Sequence, residues 1–158
     1  MIIEHRCVVP VAVERLWDFL LDVPAVSRCL PGVDEFQAAG ADTYRGAIRV
    51  KVGPIAIRVE GTIRVGERDR ARWRAAMTAE GRDPRIPGGV TAQLALHLTP
   101  RGEGGTELHV RTDAAVLGKL GEFGQPVIRR SADRIMQQFV ENVVRALREV
   151  GQATGAGR

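Results

Sequence analysis

The chain is poor in aromatic residues, in cysteine and in long apolar runs, and each shortage removes a class of protein. Aromatics make up 4% of its 158 residues, too few for the stacking platforms that hold single-stranded nucleic acid. No Lys/Arg block and no zinc-ligand spacing stand in their place, so nucleic acid is not an expected partner. The two cysteines, Cys7 and Cys29, are not spaced as metal ligands. In a reducing compartment they read as small buried apolar residues rather than a disulfide. No stretch reaches the ~18–20 uncharged apolar residues of a membrane span. The first residues, Met1 to Arg6, enter a strand-like pattern without a signal-peptide layout, which gives a cytoplasmic address as the expectation.

What is present is an ordinary globular composition, 44% apolar and 27% charged, with a core large enough to need no staples. The reading is one domain over residues 1–150, followed by a flexible tail over 151–158. Ile2–Val11 has the pattern of a strand, and Leu16, Trp17 and Leu20 recur at helical spacing within 13–21. Pro24 opens a second short helix reaching Cys29, which Leu30-Pro31-Gly32 stops. From Tyr44 to Val116 every second residue is apolar, Gly, Ala or Thr, and the residues between are largely polar. Such alternation makes a sheet with one buried and one wet face. Beyond Gly118 the period changes. Ile128, Ala132, Ile135, Met136, Phe139, Val143 and Leu147 form the stripe of one long amphipathic helix, ended by Gly151.

The turns set the strand register. With Gly53-Pro54 as a tight connection, Val52 lies opposite Ile55, Val50 opposite Ile57, Ile48 opposite Val59 and Gly46 opposite Gly61. A turn around Glu67–Arg70 would set Val65 against Ala71, Ile63 against Trp73, Gly61 against Ala75 and Val59 against Met77. The transverse row Gly46–Gly61–Ala75 then has almost no side-chain volume. Glycines let a sheet bend sharply, and missing side chains also leave space for a ligand; the two readings are compatible. A half-buried sheet must cover its apolar face, and only the last helix is long enough. The fold expected is α+β, a helix-grip of seven curved antiparallel strands around a long C-terminal helix, with two short helices after the first strand.

No catalytic set emerges. His97 and His109 fall opposite each other if Leu98 faces Leu108, but a third metal ligand is missing, and both read as exposed sheet residues. His5 stands alone on the first strand and reads as structural. The Asp residues lie in loops and element ends, where they cap and turn. Inward polar groups are few: Tyr44, Thr106, Thr112 and the Trp73 indole. On the outward face Arg45, Arg49, Lys51, Arg58, Arg64, Arg72 and Arg74 stand against Glu60 and Glu80. This is either a solvated face or one that attracts anionic headgroups or an acidic protein surface.

Several segments resemble one family, that of the carbon monoxide dehydrogenase G-type subunit, within the START-like polyketide-cyclase (SRPBCC) superfamily. They are Cys29-Leu30-Pro31-Gly32-Val33, the stretch from Tyr44 to Ile55, Gly61, Glu80-Gly81, Gly105-Thr106-Glu107-Leu108, and Gly118-Lys119-Leu120 through Gly124. The proline-rich loop Arg82–Gly89, Gly121 and Gln125 depart from the family pattern. The resemblance implies a non-enzymatic helper of molybdenum-containing carbon monoxide dehydrogenases and related hydroxylases, acting in maturation or in coupling to the membrane. It also implies an apolar pocket suited to a lipid-like molecule, with a respiratory quinone as a plausible occupant. Without the anchoring extension of some relatives, contact with the inner membrane face would be transient and peripheral.

The expectation is therefore a carrier whose ligand lies between sheet and C-terminal helix, with no cofactor and no metal. The candidate walls are Tyr44, Ile48, Val50, Val59, Gly61, Ile63, Trp73, Met77, Leu94, Leu96, Leu108 and Val110. Ile128, Met136 and Phe139 would form the helix side, with Phe123 in a glycine-flanked gate. The alternatives are an aromatase/cyclase or lyase on the same fold, which needs an inward acid or base, and an interaction module with a packed interior.

Overall fold

Alternation between apolar and polar side chains extends through seven strands, and they form a single antiparallel sheet. The computed structural model describes the backbone of residues 1–156 and the side chains of residues 1–149. The elements are β1 (Ile2–Val9), α1 (Val13–Leu21), α2 (Val23–Ser27), β2 (Val33–Gly40), β3 (Thr43–Val52), β4 (Ile55–Asp69), β5 (Arg74–Arg82), β6 (Gly88–Arg101), β7 (Gly105–Gly118) and α3 (Gln125–Ala156). The sheet order is β1-β7-β6-β5-β4-β3-β2. This is the helix-grip arrangement. Two short helices cross one end and α3 packs along the inner face.

The β3–β4 register follows the Gly53-Pro54 turn as expected, with Val52 opposite Ile55 and Gly46 opposite Gly61. The β4–β5 register does not. Val65 meets Met77 rather than Ala71, a slip of 77 − 71 = 6 residues. β4 runs on to Asp69 through an irregularity between Val65 and Arg68. The chain then reverses in a 3₁₀ turn, Arg70–Arg72, where Asp69 Oδ1 accepts the Arg72 N–H at 3.2 Å. Trp73 leaves the turn in the left-handed region, φ 55°. The slip is an even number, so every side chain keeps its face. The row at the bend becomes Gly46–Gly61–Gly81.

Two packed clusters fill opposite ends of the concavity. The larger joins β1, β6 and β7 to α1 and to α3 through Val9, Leu16, Trp17, Leu98, Leu108 and Phe139. The smaller sits under the 3₁₀ turn Lys119–Phe123, around Val52, Ile57 and Leu120. Polar ties hold α3 along its length. Ser131 Oγ and Arg134 donate to the Lys51 carbonyl at 2.8 and 2.9 Å. Arg129 reaches the Ile2 carbonyl at 2.9 Å, Asn142 Nδ2 the Cys29 carbonyl at 2.9 Å, and Arg15 the Leu147 carbonyl. The helix does not stop at Gly151 but continues to Ala156; one glycine within a helix costs only about 1 kcal/mol relative to Ala. Of the tail expected over 151–158, residues 157–158 lie outside the described residues.

Candidate functional site

Between the two clusters the inward side chains are only partly covered. Phe36, Tyr44, Ile48, Val59, Ile63, Ala79 and Ala92 are all half-buried, whereas Ala75, Leu98, Leu108 and Val110 at one end and Val52 and Ile57 at the other are buried. They surround a hollow of ≈ 210 Å³ at the bend of the sheet. Its floor is the glycine row with Ile48, Val59, Ile63, Ala79, Val90 and Ala92, and its roof is Ser27, Leu30 and Val33, the end of α2 and the strap into β2. On the β2 side Phe36 stacks on Tyr44, ring centroids 5.4 Å apart and planes 15° apart. Phe36 lies opposite Gly46, so an aromatic ring covers the place where the next strand has no side chain.

The glycines of this row bend the sheet rather than hold space open. A Cβ on Gly61 would overlap the Glu80 carbonyl oxygen, and one on Gly46 would stand 2.5 Å from the Glu35 carbonyl oxygen. Strands approach each other too closely there for any side chain. The hollow is a consequence of that bend, bounded by the small side chains of the neighbouring row, Ala79 and Ala92.

Of the sixteen candidate wall residues, Tyr44, Ile48, Val59, Gly61 and Ile63 come together around the hollow. Leu108, Val110 and Phe139 are buried in the larger cluster, and Trp73, Leu94, Leu96 and Met136 pack against it. Val50 and Phe123 pack against the smaller one, and neither lines the hollow. Trp73 sits in the β4–β5 turn, edge-on to Trp17 at 5.7 Å, because the register slip removed it from the strand. Met77 is half-buried beside the hollow, opposite Val65 and Leu94. Ile128 is half-buried in the first turns of α3. The helical wall that lines the hollow is the α2 end with its strap, not α3. Leu30, Val33, Phe36, Ala79, Val90 and Ala92 were not among the candidates. The alternation of β2 and β6 is the signal for Phe36, Val90 and Ala92, whereas Ala79 reaches the hollow through the slip of β5, and Leu30 and Val33 through the strap after α2.

The polar surroundings are structural. Thr106 Oγ1 donates to the Val11 carbonyl at 2.6 Å and is fully buried, and Ser27 Oγ donates to the Pro24 carbonyl at 2.7 Å. His5 is not isolated as expected: its Nε2 lies 2.7 Å from Asp133 Oδ1, linking β1 to α3. His97 and His109 do face each other; burial first, then Arg74, pushes the His97 imidazole down. Among the described residues no group of three or more His, Cys, Asp or Glu is placed to hold a metal ion. On the outward face Arg58 bridges Asp34, Glu35 and Glu60 at 2.8–3.2 Å, so acids from β2 balance part of the arginine excess. Asp83 is buried in the loop after β5, accepting the Arg58 and Arg85 backbone N–H groups at 3.0 and 2.9 Å. The Arg85 guanidinium above all, then those two amides, holds its carboxyl well below the usual carboxylate range.

The family model for the G-type subunit of carbon monoxide dehydrogenase (CoxG) matches residues 7–148. The chain belongs to the CoxG family. Solved structures agree on its fold. A conserved protein from Geobacillus kaustophilus superposes with TM-score 0.85 at 21% identity, covering 94% of this chain and 96% of that one. A START superfamily protein from Mycobacterium smegmatis gives 0.68 at 12% identity, covering 94% and 98%. The ZhuI aromatase/cyclase from Streptomyces sp. R1128 gives 0.64 at 16%, covering 100% and 96%. At these identities the likeness is one of fold. No relative was found among curated protein sequences. No helix among the described residues of this CoxG-family chain is long and apolar enough to cross a membrane.

Proposed function

We propose that this CoxG-family protein is a non-catalytic carrier whose hollow takes the ring system or a short apolar segment of a lipid-like molecule, a respiratory quinone being the leading candidate. It would serve a molybdenum hydroxylase of the carbon monoxide dehydrogenase type, in maturation or in coupling to the inner membrane face. The observation that carries the reading is the half-exposed apolar wall between two packed clusters. Its inward positions offer no carboxylate, imidazole or amine; Glu35, Arg45 and Glu80 reach it from the outward phase of their strands. A cyclase on this fold would need an inward acid or base, and the inward polar groups of the wall are the Tyr44 phenol and the Ser27 hydroxyl, which is already donated to Pro24.

Volume limits the occupant. Drug-sized ligands fill about 300–1,000 Å³, and ≈ 210 Å³ holds less than that. A long isoprenoid or acyl tail would continue outside, over the half-exposed wall. Burial of apolar area at about 25 cal/mol per Å² supplies the drive. Gly61 is the wrong place to plug the hollow, since a Cβ there overlaps backbone; Ala92 on its floor is the right one. Organic extraction of purified wild type should yield a co-purifying quinone or lipid by mass spectrometry. Ala92→Phe should yield none while keeping its thermal midpoint. Empty wild-type extracts together with no saturable uptake of added quinone would overturn the reading, as would equal uptake by Ala92→Phe.

A further inference from the structure

One transverse row of the sheet crosses the hollow from side to side: Tyr44 on β3, Ile63 on β4, Ala79 on β5 and Ala92 on β6. Three strand spacings of ~4.8 Å make it at most about 14 Å long. Tyr44 supplies the one polar side chain of that row, and it stands at the β3 end. Its neighbour on β2 is Ala38. Phe36 stacks on its ring, centroids 5.4 Å apart and planes 15° apart, which fixes the plane of the phenol at this edge. The Tyr44 hydroxyl has no hydrogen-bond partner among the described residues. Nor is it sealed off, since the buried side-chain polar atom that lacks a partner among those residues is His5 Nδ1. The other inward hydroxyl, Ser27 Oγ, is taken by the Pro24 carbonyl at 2.7 Å.

Water satisfies such a hydroxyl until an occupant covers it. A purely hydrocarbon occupant strips that water and offers nothing in return, and a polar group left unpaired costs more than a typical hydrogen bond gains. An occupant with an acceptor oxygen at the β3 end restores the bond. Apolar pockets fix orientation through a few such groups. Charge narrows the choice further. Glu35, Arg45 and Glu80 reach the hollow from the outward phase, two carboxylates to one guanidinium. Arg68 lies within electrostatic reach of the phenol, but Asp42 already accepts from it at 2.7 Å. A carboxylate on the occupant would meet these acids, whereas a neutral carbonyl oxygen would not be repelled.

We propose that Tyr44 is the specificity-determining residue of the hollow: its O–H donates to a neutral carbonyl oxygen on the bound ring. It thereby selects carbonyl-bearing rings over hydrocarbons of the same shape and over carboxylates. This rests on the carrier reading and adds the orientation of the occupant. The carbonyl edge lies at Phe36 and Tyr44, and the apolar edge lies across the row at Val90 and Ala92.

Equilibrium dialysis of the purified full chain against menadione, methylnaphthalene and naphthoate compares one ring system with carbonyls, without oxygen and with a carboxylate. Tyr44→Phe removes the hydroxyl and keeps the stack on Phe36, so the thermal midpoint should hold. It should weaken menadione binding roughly two- to tenfold, the range of one net hydrogen bond, and leave methylnaphthalene binding unchanged or slightly tighter. Wild type should bind naphthoate more weakly than menadione. Infrared spectra give a second reading, in which the carbonyl stretch of bound menadione lies lower in wild type than in Tyr44→Phe. Equal effects of Tyr44→Phe on menadione and methylnaphthalene, no effect on either, or an unshifted carbonyl band would overturn the assignment while the carrier reading stands. So would naphthoate bound as tightly as menadione. Wild type that takes up none of the three would overturn both.

Discussion

Gly61 and Asp83 show how single residues set the geometry around the hollow from opposite directions. Gly61 is defined by an absence, since any Cβ there meets the Glu80 carbonyl oxygen. Gly61→Ala should therefore destabilise by about 1–3 kcal/mol, the usual range for overpacking, measured by urea unfolding. A neutral Gly61→Ala would mean that the bend is not as tight as the backbone approach indicates. Asp83 is defined by what it accepts: two backbone amides and the Arg85 guanidinium. Its folded carboxyl lies below its unfolded value, so its contribution is complete above the unfolded value of about 3.9. It is lost as pH falls through the lower folded value. Asp83→Asn should lower the thermal midpoint at neutral pH, and its difference from wild type should stay constant down to about pH 4 and shrink below. A difference that widened on acidification would contradict the assignment.

At the scale of elements, packing decides which faces are available. α3 is anchored at Phe139, 8% exposed, Val143, 2%, and Leu147, 3%. Phe139→Ala should cost about 3–5 kcal/mol by the same urea assay, yet leave quinone uptake per folded molecule unchanged, because Phe139 faces the larger cluster. Loss of uptake without loss of stability would instead put this part of α3 in the binding wall. The β4–β5 connection shows where pattern reading stops. Period two along β4 and β5 is satisfied by any even register, so pairing Val65 with Ala71 or with Met77 keeps the same face buried. The Asp69-capped 3₁₀ turn and the left-handed Trp73 choose between them, and the Trp73 indole packs edge-on against Trp17.

At the scale of the molecule, the bend of the sheet leaves the hollow on its inner face. Thr106→Val tests how firmly the α1 end is tied to the sheet. Removing a buried hydroxyl that satisfies the Val11 carbonyl should cost about 1–3 kcal/mol. An unchanged unfolding midpoint would show that the carbonyl finds another donor. The order of elements, the two short helices, the long amphipathic helix and the β3–β4 register were all legible from residue spacing. Of the six candidate wall residues on β3 and β4, where the Gly53-Pro54 turn sets the register, Tyr44, Ile48, Val59, Gly61 and Ile63 stand at the hollow, while Val50 packs against the smaller cluster. The remainder were assigned by facing inward. Facing inward is necessary for lining a hollow but equally describes Leu108, Val110 and Phe139, which are packed against α1 and α3.

By itself the sequence determined which side of each strand is wet, because a two-residue period and a 3.6-residue period are local properties of side-chain order. It also determined that the sheet must bend, through glycines that coincide across β3 and β4. Tertiary structure alone decided where space remains. A cavity is what is left after distant elements have packed, and here the strap from α2 to β2 roofs it while α3 closes the ends. That outcome depends on distances between residues far apart in the chain, for which no local pattern carries information.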